Sequence, residues 1–302
     1  RAAVAHEVRA TVETVNPATA SPLAEYSEAG SSDVDLAIRS ARAAAKSAWG
    51  RLPGRDRGRF LDLISQRIEE RAQELALLAA LDSGLPVRRS LQQVALAAAY
   101  LRYYAGWAHL LDHAGMGHAP RNRGVAGVLT SADSPWLGLA AQIAPALAAG
   151  NAVVVKPSPS TPLAALALAS ICQDADLPGG TVNVITGSSA TGRFVVESPD
   201  INVIGFSGDD QAAHQIGRAI AGSRKGYAPL PPIACTHILE ADADIDRALD
   251  NILRAIVDSP LPAARTRVLA HGSIHEHVWE GLRSRLGDLI VATGSLVVVG
   301  EA

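Results

Sequence analysis

Cysteine is scarce in this chain of 302 residues, which contains only Cys172 and Cys235. Two cysteines exclude a disulfide-stabilised scaffold and suit a reducing compartment, so we expect a cytoplasmic protein. Charged residues are also few, at 19% of the chain, and they sum to a net charge of −3 without any basic block. We therefore expect no nucleic-acid partner.

Apolar runs long enough to cross a membrane without interruption are absent as well. Residues 1–14 mix charged and apolar side chains, so we expect no secretory leader in them. No charge occurs between Asp133 and Lys156, but Pro135, Pro145 and Gly150 interrupt this stretch, which favours a buried helix and strand over a membrane span. Because 48% of the residues are hydrophobic, the chain can form a substantial core, and disorder is excluded.

From residue 124 onward, short apolar runs alternate with segments of helical periodicity. The runs predict strands at residues 125–129, 152–155, 182–186 and 203–206. The intervening segments predict helices at residues 137–149, 162–174, 190–197 and 211–221. Strands that alternate with helices predict an α/β fold with a doubly wound parallel sheet, which binds ligands at the carboxyl ends of its strands.

The segments on either side of this region differ from it. After a short extended entry, the first part of the chain predicts three helices: one from Ser32 or Asp33 through residue 48, one over residues 55–82, and one that ends near residue 111. Beyond residue 223 the pattern becomes less regular, with strands expected at 237–240, 268–271 and 296–299 and helices at 244–257 and 276–286.

Two domains are therefore expected, one over residues 1–223 and one over residues 224–302. The second, at 79 residues, is too short for a comfortable core of its own, so we expect it to pack on the sheet or to be completed by a partner. Its closing apolar strand also needs a neighbour along its edge.

Common nucleotide and metal motifs are incomplete in this sequence. The dinucleotide fingerprint G-x-G-x-x-G is absent, and GSSATG at residues 187–192 has P-loop spacing but is followed by Arg193 and Phe194 instead of Lys and Ser/Thr. A plain strand-to-helix turn is the preferred interpretation. His109 and His113 lie one helical turn apart, but no third ligand follows at a spacing typical of zinc sites.

Several longer motifs occur together and in one order. The sequence contains QIAPALAAGN at residues 142–151, VVVKPS at 153–158 and LPGGTVNVITG at 177–187. Shorter motifs are NPAT at residues 16–19, YYAGW at 103–107 and FSG at 206–208. In this combination the chain strongly resembles the aldehyde dehydrogenase superfamily, which implies a Rossmann-like nucleotide-binding domain and NAD or NADP as cofactor.

The resemblance implies a set of cofactor-binding residues at the carboxyl ends of the strands. In the family, the lysine and serine at Lys156 and Ser158 bind the adenosine ribose. The remaining residues expected around the cofactor are Thr130, Gly187, Ser207 and Gly208. Pro159 replaces the glutamate of NAD-preferring members, and Asp209 brings a carboxylate close to the expected pyrophosphate, so we expect weak or absent NAD(P) binding.

The family's catalytic positions are eroded in this sequence. The family uses a cysteine thiolate that attacks the aldehyde, an asparagine that stabilises the oxyanion, and a glutamate that activates water. By resemblance these positions fall on Pro262, Asp133 and Leu230. Proline has neither a thiol nor an N–H, aspartate repels an oxyanion, and leucine is not a base, so no catalytic residue is assigned.

Two functional hypotheses follow from the resemblance. The leading one is a catalytically impaired, pseudoenzyme-like member that acts in a complex or in regulation. The alternative is an active NAD(P)-dependent oxidoreductase that oxidises an aldehyde to an acid with a noncanonical or partner-completed site. Cys172 and Cys235 are both interpreted as inert core residues. A decayed gene product without a selected function is the third hypothesis.

Relative to the family, the chain is expected to contain the nucleotide-binding domain and only the opening portion of the catalytic domain. Between Trp107 and Gly124 it is also shorter than the family's usual connection, which carries a hairpin used in oligomerisation. The expected partners are therefore a second copy of the chain or a full-length aldehyde dehydrogenase, without nucleic acid or membrane.

Overall fold

The computed structural model of the chain describes residues 10–112, 122–230, 234–257, 265–286 and 297–300. The chain divides into two compact units, Arg1–Leu230 and Pro231–Ala302. Residues 224–230, assigned above to the second domain, contain the last strand of the first unit's sheet and lie in that unit.

A five-stranded parallel sheet forms the centre of the first unit. The four predicted strands are confirmed, and their neighbours pair in the order β5-β4-β3-β6-β7. The strands are β3 (Val125–Leu129), β4 (Ala152–Lys156), β5 (Val182–Val184), β6 (Val203–Ser207) and β7 (Gly226–Leu230). The chain runs outward from β3 to β5 and then returns to place β6 beside β3, so the strand order reverses between β3 and β6, where such sheets bind ligands.

Helices cover this sheet, as the alternating pattern predicted. Every residue of β4 is buried, which is typical of a parallel strand covered on both faces. The covering helices are α5 (Leu137–Ala148), α6 (Leu163–Asp174), α7 (Ser189–Glu197) and α8 (Asp210–Ile220). Their bounds agree with the predicted helices to within one or two residues.

The N-terminal part is more elaborate than predicted. The expected short extended entry is an antiparallel hairpin, followed by four helices instead of three. The elements are β1 (Thr11–Val15), β2 (Pro22–Ser27), α1 (Ser31–Lys46), α2 (Gly54–Glu70), α3 (Ala72–Ser83) and α4 (Val87–Leu111). The helix expected over residues 55–82 is interrupted at Arg71, where no Gly or Pro marks the break. Helix α1 begins after Gly30, whose N–H donates 3.1 Å to the Asp33 carboxylate.

Long-range polar contacts connect these helices to the sheet. The indole Nε1 of buried Trp49 donates to the carbonyl of Asn151 at 3.1 Å, just before β4. Arg57, 7% exposed, donates to the carbonyl of Ala148 at 3.0 Å and pairs with Asp112 at 3.0 Å. A buried guanidinium needs such partners, so this cluster links the ends of α4 and α5 to α2.

The second unit has a core of its own, and the expectation that it is too short for one is wrong. Three parallel strands pair in the order β10-β9-β8, and two helices accompany them. The elements are β8 (Ala234–Leu239), α9 (Ile245–Val257), β9 (Arg265–Ala270), α10 (His275–Leu286) and β10 (Val297–Gly300). The buried core residues are Leu239, Leu249, Ile252, Val268, Ala270, Ile274, Val278 and Leu282.

The closing apolar strand finds a neighbour within the chain. Val297 to Gly300 of β10 pair in parallel with Arg267 to Ala270 of β9. One edge of β10 is therefore paired within the chain, and β10 is the edge strand of this sheet. Across the part of the chain that the structure describes, no helix has the length and apolarity required to cross a membrane.

Candidate functional site

A cleft of about 1050 Å³ opens at the carboxyl ends of the central strands, beside the reversal of strand order. Its walls include the ends of β3, β4 and β6 and parts of α7 and α8. Five of the six predicted cofactor-binding residues line it: Thr130, Lys156, Ser158, Ser207 and Gly208. Gly187, the sixth, is not among the lining residues. A Cβ at that position would lie 2.2 Å from the Thr191 Oγ1, so the turn before α7 requires glycine there.

Lys156 is the most unusual side chain of the cleft. It ends β4, is 6% exposed, and lacks any hydrogen bond or ion pair with the residues that the structure describes. Its stem passes Gly192 of α7, where an added Cβ would lie 3.7 Å from the Lys156 Cδ. Burial lowers the pKa of Lys156 to about 8, and the Glu28 carboxylate opposes part of that shift.

Glu28 reaches this region from the turn that follows β2. Its carboxylate accepts a 2.9 Å hydrogen bond from the N–H of Ser188, the N-cap residue of α7. The hydrogen bonds from Ser188 hold the pKa of Glu28 below its usual range. Glu28 was not predicted from the sequence, because no local pattern relates it to Ser188, which lies 160 residues further along the chain.

The loops at the mouth of the cleft are held by backbone contacts. The Thr130 N–H donates to the Lys156 carbonyl at 3.3 Å, which extends the β3–β4 pairing beyond the strand. The Ser207 Oγ accepts the Ser131 N–H at 3.2 Å. Thr130 and Ser207 therefore occupy fixed positions, with the carboxyl ends of β3 and β6 tied together.

The segment after Lys156 is also anchored, although it is more exposed. The Ser158 and Ser160 hydroxyls lie 3.0 Å apart, and the Tyr26 hydroxyl donates to the Pro159 carbonyl at 2.8 Å. The Pro159 ring lines the cleft and offers no side-chain hydrogen-bond acceptor.

Asp209 places a carboxylate at the cleft, as the sequence suggested. It is the N-cap of α8, and one of its oxygens accepts the Ala212 N–H at 2.7 Å. The N-terminus of a helix is ordinarily attractive to anions. Here the Asp209 carboxylate occupies that position.

The three catalytic positions implied by the family motifs are placed as follows. Asp133 is exposed; its carboxylate accepts a hydrogen bond from the Ser131 hydroxyl, and its carbonyl accepts one from the Gln93 amide at 3.3 Å. Leu230 is 41% exposed at the carboxyl end of β7, where it pairs with Ser207 of β6. Neither residue lines the cleft. Pro262 lies outside the described residues.

Cys172 does not present an activated nucleophile. Cys172 is buried in α6, and burial raises the pKa of its thiol to about 12. It is therefore protonated at neutral pH, in agreement with its interpretation as an inert core residue. Cys235 lies on β8. Within the described ranges, no group of three or more His, Cys, Asp or Glu side chains is placed to hold a metal ion.

A doubly wound parallel sheet with a cleft at its strand-order reversal is the architecture of nucleotide-binding α/β proteins. A sequence profile described as "Aldehyde dehydrogenase family" matches residues 4–296, and the chain belongs to that family. It is 33% identical to a phenylacetaldehyde dehydrogenase of Pseudomonas fluorescens over 94% of this chain and 60% of that protein. It is 34% identical to a 2-hydroxymuconic semialdehyde dehydrogenase of Pseudomonas sp. (strain CF600), over 82% of this chain and 54% of that protein.

Solved structures of the family have the same fold. HpcC from Thermus thermophilus superposes with a TM-score of 0.82 and 30% identity, over 91% of this chain and 56% of that one. PnpE in complex with nicotinamide adenine dinucleotide superposes with a TM-score of 0.81 and 29% identity, over 91% of this chain and 59% of that one. The chain thus spans little more than half the length of each of these four proteins.

Proposed function

We propose that this chain is an aldehyde dehydrogenase-like protein that retains the nucleotide cleft but does not oxidise aldehydes by itself. It would act instead in a complex or in regulation, within the reducing cytoplasm. The observation that carries this proposal is that the cleft keeps the Lys156 ammonium, which has no hydrogen-bond or ion-pair partner among the described residues. By resemblance, the position of the family's base is instead Leu230, which lies outside the cleft lining.

A dinucleotide fits part of this cleft. Lys156 and Ser158 would bind the hydroxyls of the adenosine ribose, and the unpartnered ammonium supports this assignment. When bound, NAD(P) would supply a hydride acceptor. Pro159 offers no ribose acceptor and Asp209 would repel the pyrophosphate, so the affinity should be low. Calorimetry should give a Kd weaker than about 1 μM, a binding free energy smaller in magnitude than about 8 kcal/mol.

The catalytic positions support the loss of aldehyde oxidation. An oxyanion needs hydrogen-bond donors, and Asp133 offers a carboxylate that itself accepts the Ser131 hydroxyl. Leu230 cannot activate water, and Pro262 supplies neither a nucleophile nor an N–H.

Steady-state assays test this proposal directly. The purified chain would be mixed with NAD⁺ or NADP⁺ and a panel that includes phenylacetaldehyde and betaine aldehyde, and NAD(P)H formation would be followed by absorbance. We expect no turnover above a protein-free blank, either for the parent chain or for the Cys235→Ser variant. Robust turnover by the parent chain that this substitution abolishes would overturn the proposal and identify Cys235 as the nucleophile.

The second candidate is an active NAD(P)-linked oxidoreductase whose site is completed by another chain. It is favoured by one observation, that the cleft keeps Lys156 and Ser158, the residues expected by resemblance to bind the cofactor. Co-expression with a full-length aldehyde dehydrogenase, followed by pull-down and sedimentation, tests partner binding. Turnover that appears only in the mixture, and above that of the full-length enzyme alone, would favour this candidate.

A further inference from the structure

We propose that the Lys156 side chain is a site of covalent aldehyde capture, where its amine condenses with a small apolar aldehyde to form an imine. This goes beyond the proposed function, in which the same group only binds ribose hydroxyls. The experiment below contains no dinucleotide, so its result does not depend on whether the cleft binds NAD(P).

The first support is the geometry around the amine. Lys156 is 6% exposed and lines a cleft large enough for a small organic molecule, yet its ammonium has no hydrogen bond or ion pair with the described residues. A nearly buried ammonium without a partner is costly, and a ligand that reacts with it or pairs with it removes that cost. Apolar side chains form much of the wall: Leu129, Phe194, Val196, Phe206 and Ile216.

The second support is the protonation of the amine. With a pKa of about 8, half of the Lys156 amine is neutral and nucleophilic near pH 8, about a hundredfold more than for an ordinary exposed lysine. The Glu28 carboxylate, in the turn after β2, raises the pKa of Lys156 and so reduces the neutral fraction of the amine. The other charged groups that line the cleft are Arg193, Glu197, Asp209 and Arg218, of which Arg193 and Glu197 lie 4.0 Å apart.

The reaction balances without any further reactant. The neutral Nζ attacks the carbonyl carbon, the C=O π electrons move to oxygen, and proton transfer from nitrogen to oxygen gives a carbinolamine. Loss of water then forms the C=N bond. No redox step occurs, and hydrolysis reverses the reaction.

The other two lysines of the chain serve as internal controls. Lys46 is exposed at the end of α1, and the Lys225 ammonium donates to the carbonyl of Val196. Neither lines the cleft. Selectivity for Lys156 would therefore reflect its surroundings, because Lys46 is sterically the most accessible of the three.

The experiment labels the folded chain at pH 8 with salicylaldehyde and sodium cyanoborohydride, which traps imines as stable amines, and locates the label by peptide mass mapping. We expect Lys156 to be labelled about tenfold or more faster than Lys46, because its neutral fraction is far larger. The Lys156→Arg variant should lose this addition, whereas Lys46→Arg should keep it. In urea, the rates at the three lysines should converge.

The parent chain alone decides the outcome, so a variant that fails to fold does not obscure it. Labelling of Lys156 no faster than Lys46 in the folded chain would overturn the proposal. The same holds if the preference for Lys156 persists in the unfolded chain, since a local sequence effect would then explain it. A labelling rate at Lys156 that levels off above about pH 8, while that at Lys46 still rises, would support the proposal.

Discussion

The carboxylate of Glu28 accepts a 2.9 Å hydrogen bond from the backbone N–H of Ser188, 160 residues further along the chain. The contact joins the N-terminal hairpin region to the first turn of α7. There the carboxylate satisfies a backbone donor and interacts favourably with the helix dipole. Since Glu28 also raises the pKa of Lys156, one side chain acts on both the α7 terminus and the cleft.

Replacing Glu28 tests its action on the cleft. In Glu28→Gln the amide oxygen can still accept the Ser188 N–H, but the negative charge is lost. We expect the pKa of Lys156 to fall below about 8, because its charged form loses electrostatic support. NMR of isotopically labelled lysine side chains can follow this titration, as the chain has only Lys46, Lys156 and Lys225.

Glu197→Gln is the matched control for this titration. Glu197 raises the pKa of Lys225, so its neutralisation should lower that value instead. An unchanged Lys156 titration in Glu28→Gln, or an equal shift in both variants, would contradict the assignment of Glu28 as the local counter-charge.

A second prediction concerns Asp82, a buried carboxylate at the end of α3. One oxygen accepts the Thr14 hydroxyl at 2.7 Å, and the other accepts the Leu163 N–H at 3.0 Å. Thr14→Val removes one donor and leaves a buried oxygen unsatisfied, so we expect a loss of about 1–3 kcal/mol in the free energy of unfolding. Thr11→Val, at an exposed position of the same strand, should change it by less than about 0.5 kcal/mol.

The sign of the pH dependence follows from the Asp82 pKa, which burial raises. The folded chain then holds this proton more tightly than the unfolded chain, so the Asp82 contribution to stability falls as the pH rises through the folded pKa. Thr14→Val should therefore cost more at pH 7 than at pH 4 in urea denaturation. An equal cost at both values would indicate that the hydrogen bond does not act on the charged carboxylate.

The strands predicted from the sequence were those whose burial is evident from a short run of apolar residues. β4, Ala152–Lys156, is buried on both faces and reads as an unbroken apolar run. β7, Gly226–Leu230, was missed because it is a partly exposed edge strand containing Gly and Pro. The break between α2 and α3 at Arg71 was not predicted, because the helical spacing of apolar residues continues across it and no Gly or Pro interrupts it.

The features of the candidate site also fall into two groups, those predicted from the sequence and those visible only in the folded structure. Lys156 was predicted because it ends an apolar strand whose carboxyl end must lie at the ligand-binding edge, and Ser207 was predicted from the resemblance of residues 206–208 to a family motif. The absence of a partner for the Lys156 ammonium, and the approach of Glu28, depend on contacts between distant segments. The periodicity and spacing of residues in the sequence do not predict such contacts, so they are seen only in the folded structure.

A third prediction compares two ion pairs by their burial. The side chains of Arg57 and Asp112 are 8% and 31% exposed, whereas those of Arg102 and Glu69 are 50% and 46% exposed. Asp112→Ala leaves a buried guanidinium without its carboxylate, so we expect a loss of about 3 kcal/mol. Glu69→Ala should cost less than about 1 kcal/mol, because water screens the exposed pair. Similar losses in urea denaturation would mean that burial does not distinguish the two pairs.

The last prediction returns to the nucleotide cleft and to the residue after Lys-Pro-Ser. Pro159 is exposed and lines the cleft. The Tyr26 hydroxyl donates to its carbonyl at 2.8 Å, so the backbone at this position is held in place when the side chain is replaced. Pro159→Glu supplies the carboxylate acceptor that ribose hydroxyls require. A charged hydrogen bond contributes about 1.5 kcal/mol or more, so NAD⁺ affinity should rise about tenfold in calorimetry.

Two controls separate this effect from a general change of charge. Ser160→Glu places the same carboxylate one residue further along, at another exposed position, and should leave NAD⁺ affinity nearly unchanged. NADP⁺ should gain nothing from Pro159→Glu, because its 2′-phosphate meets the new carboxylate as a like charge. Equal gains for NAD⁺ and NADP⁺, or equal effects of the two variants, would show that the adenosine ribose does not lie beside residue 159, and the assignment of Lys156 and Ser158 to that ribose would fail with it.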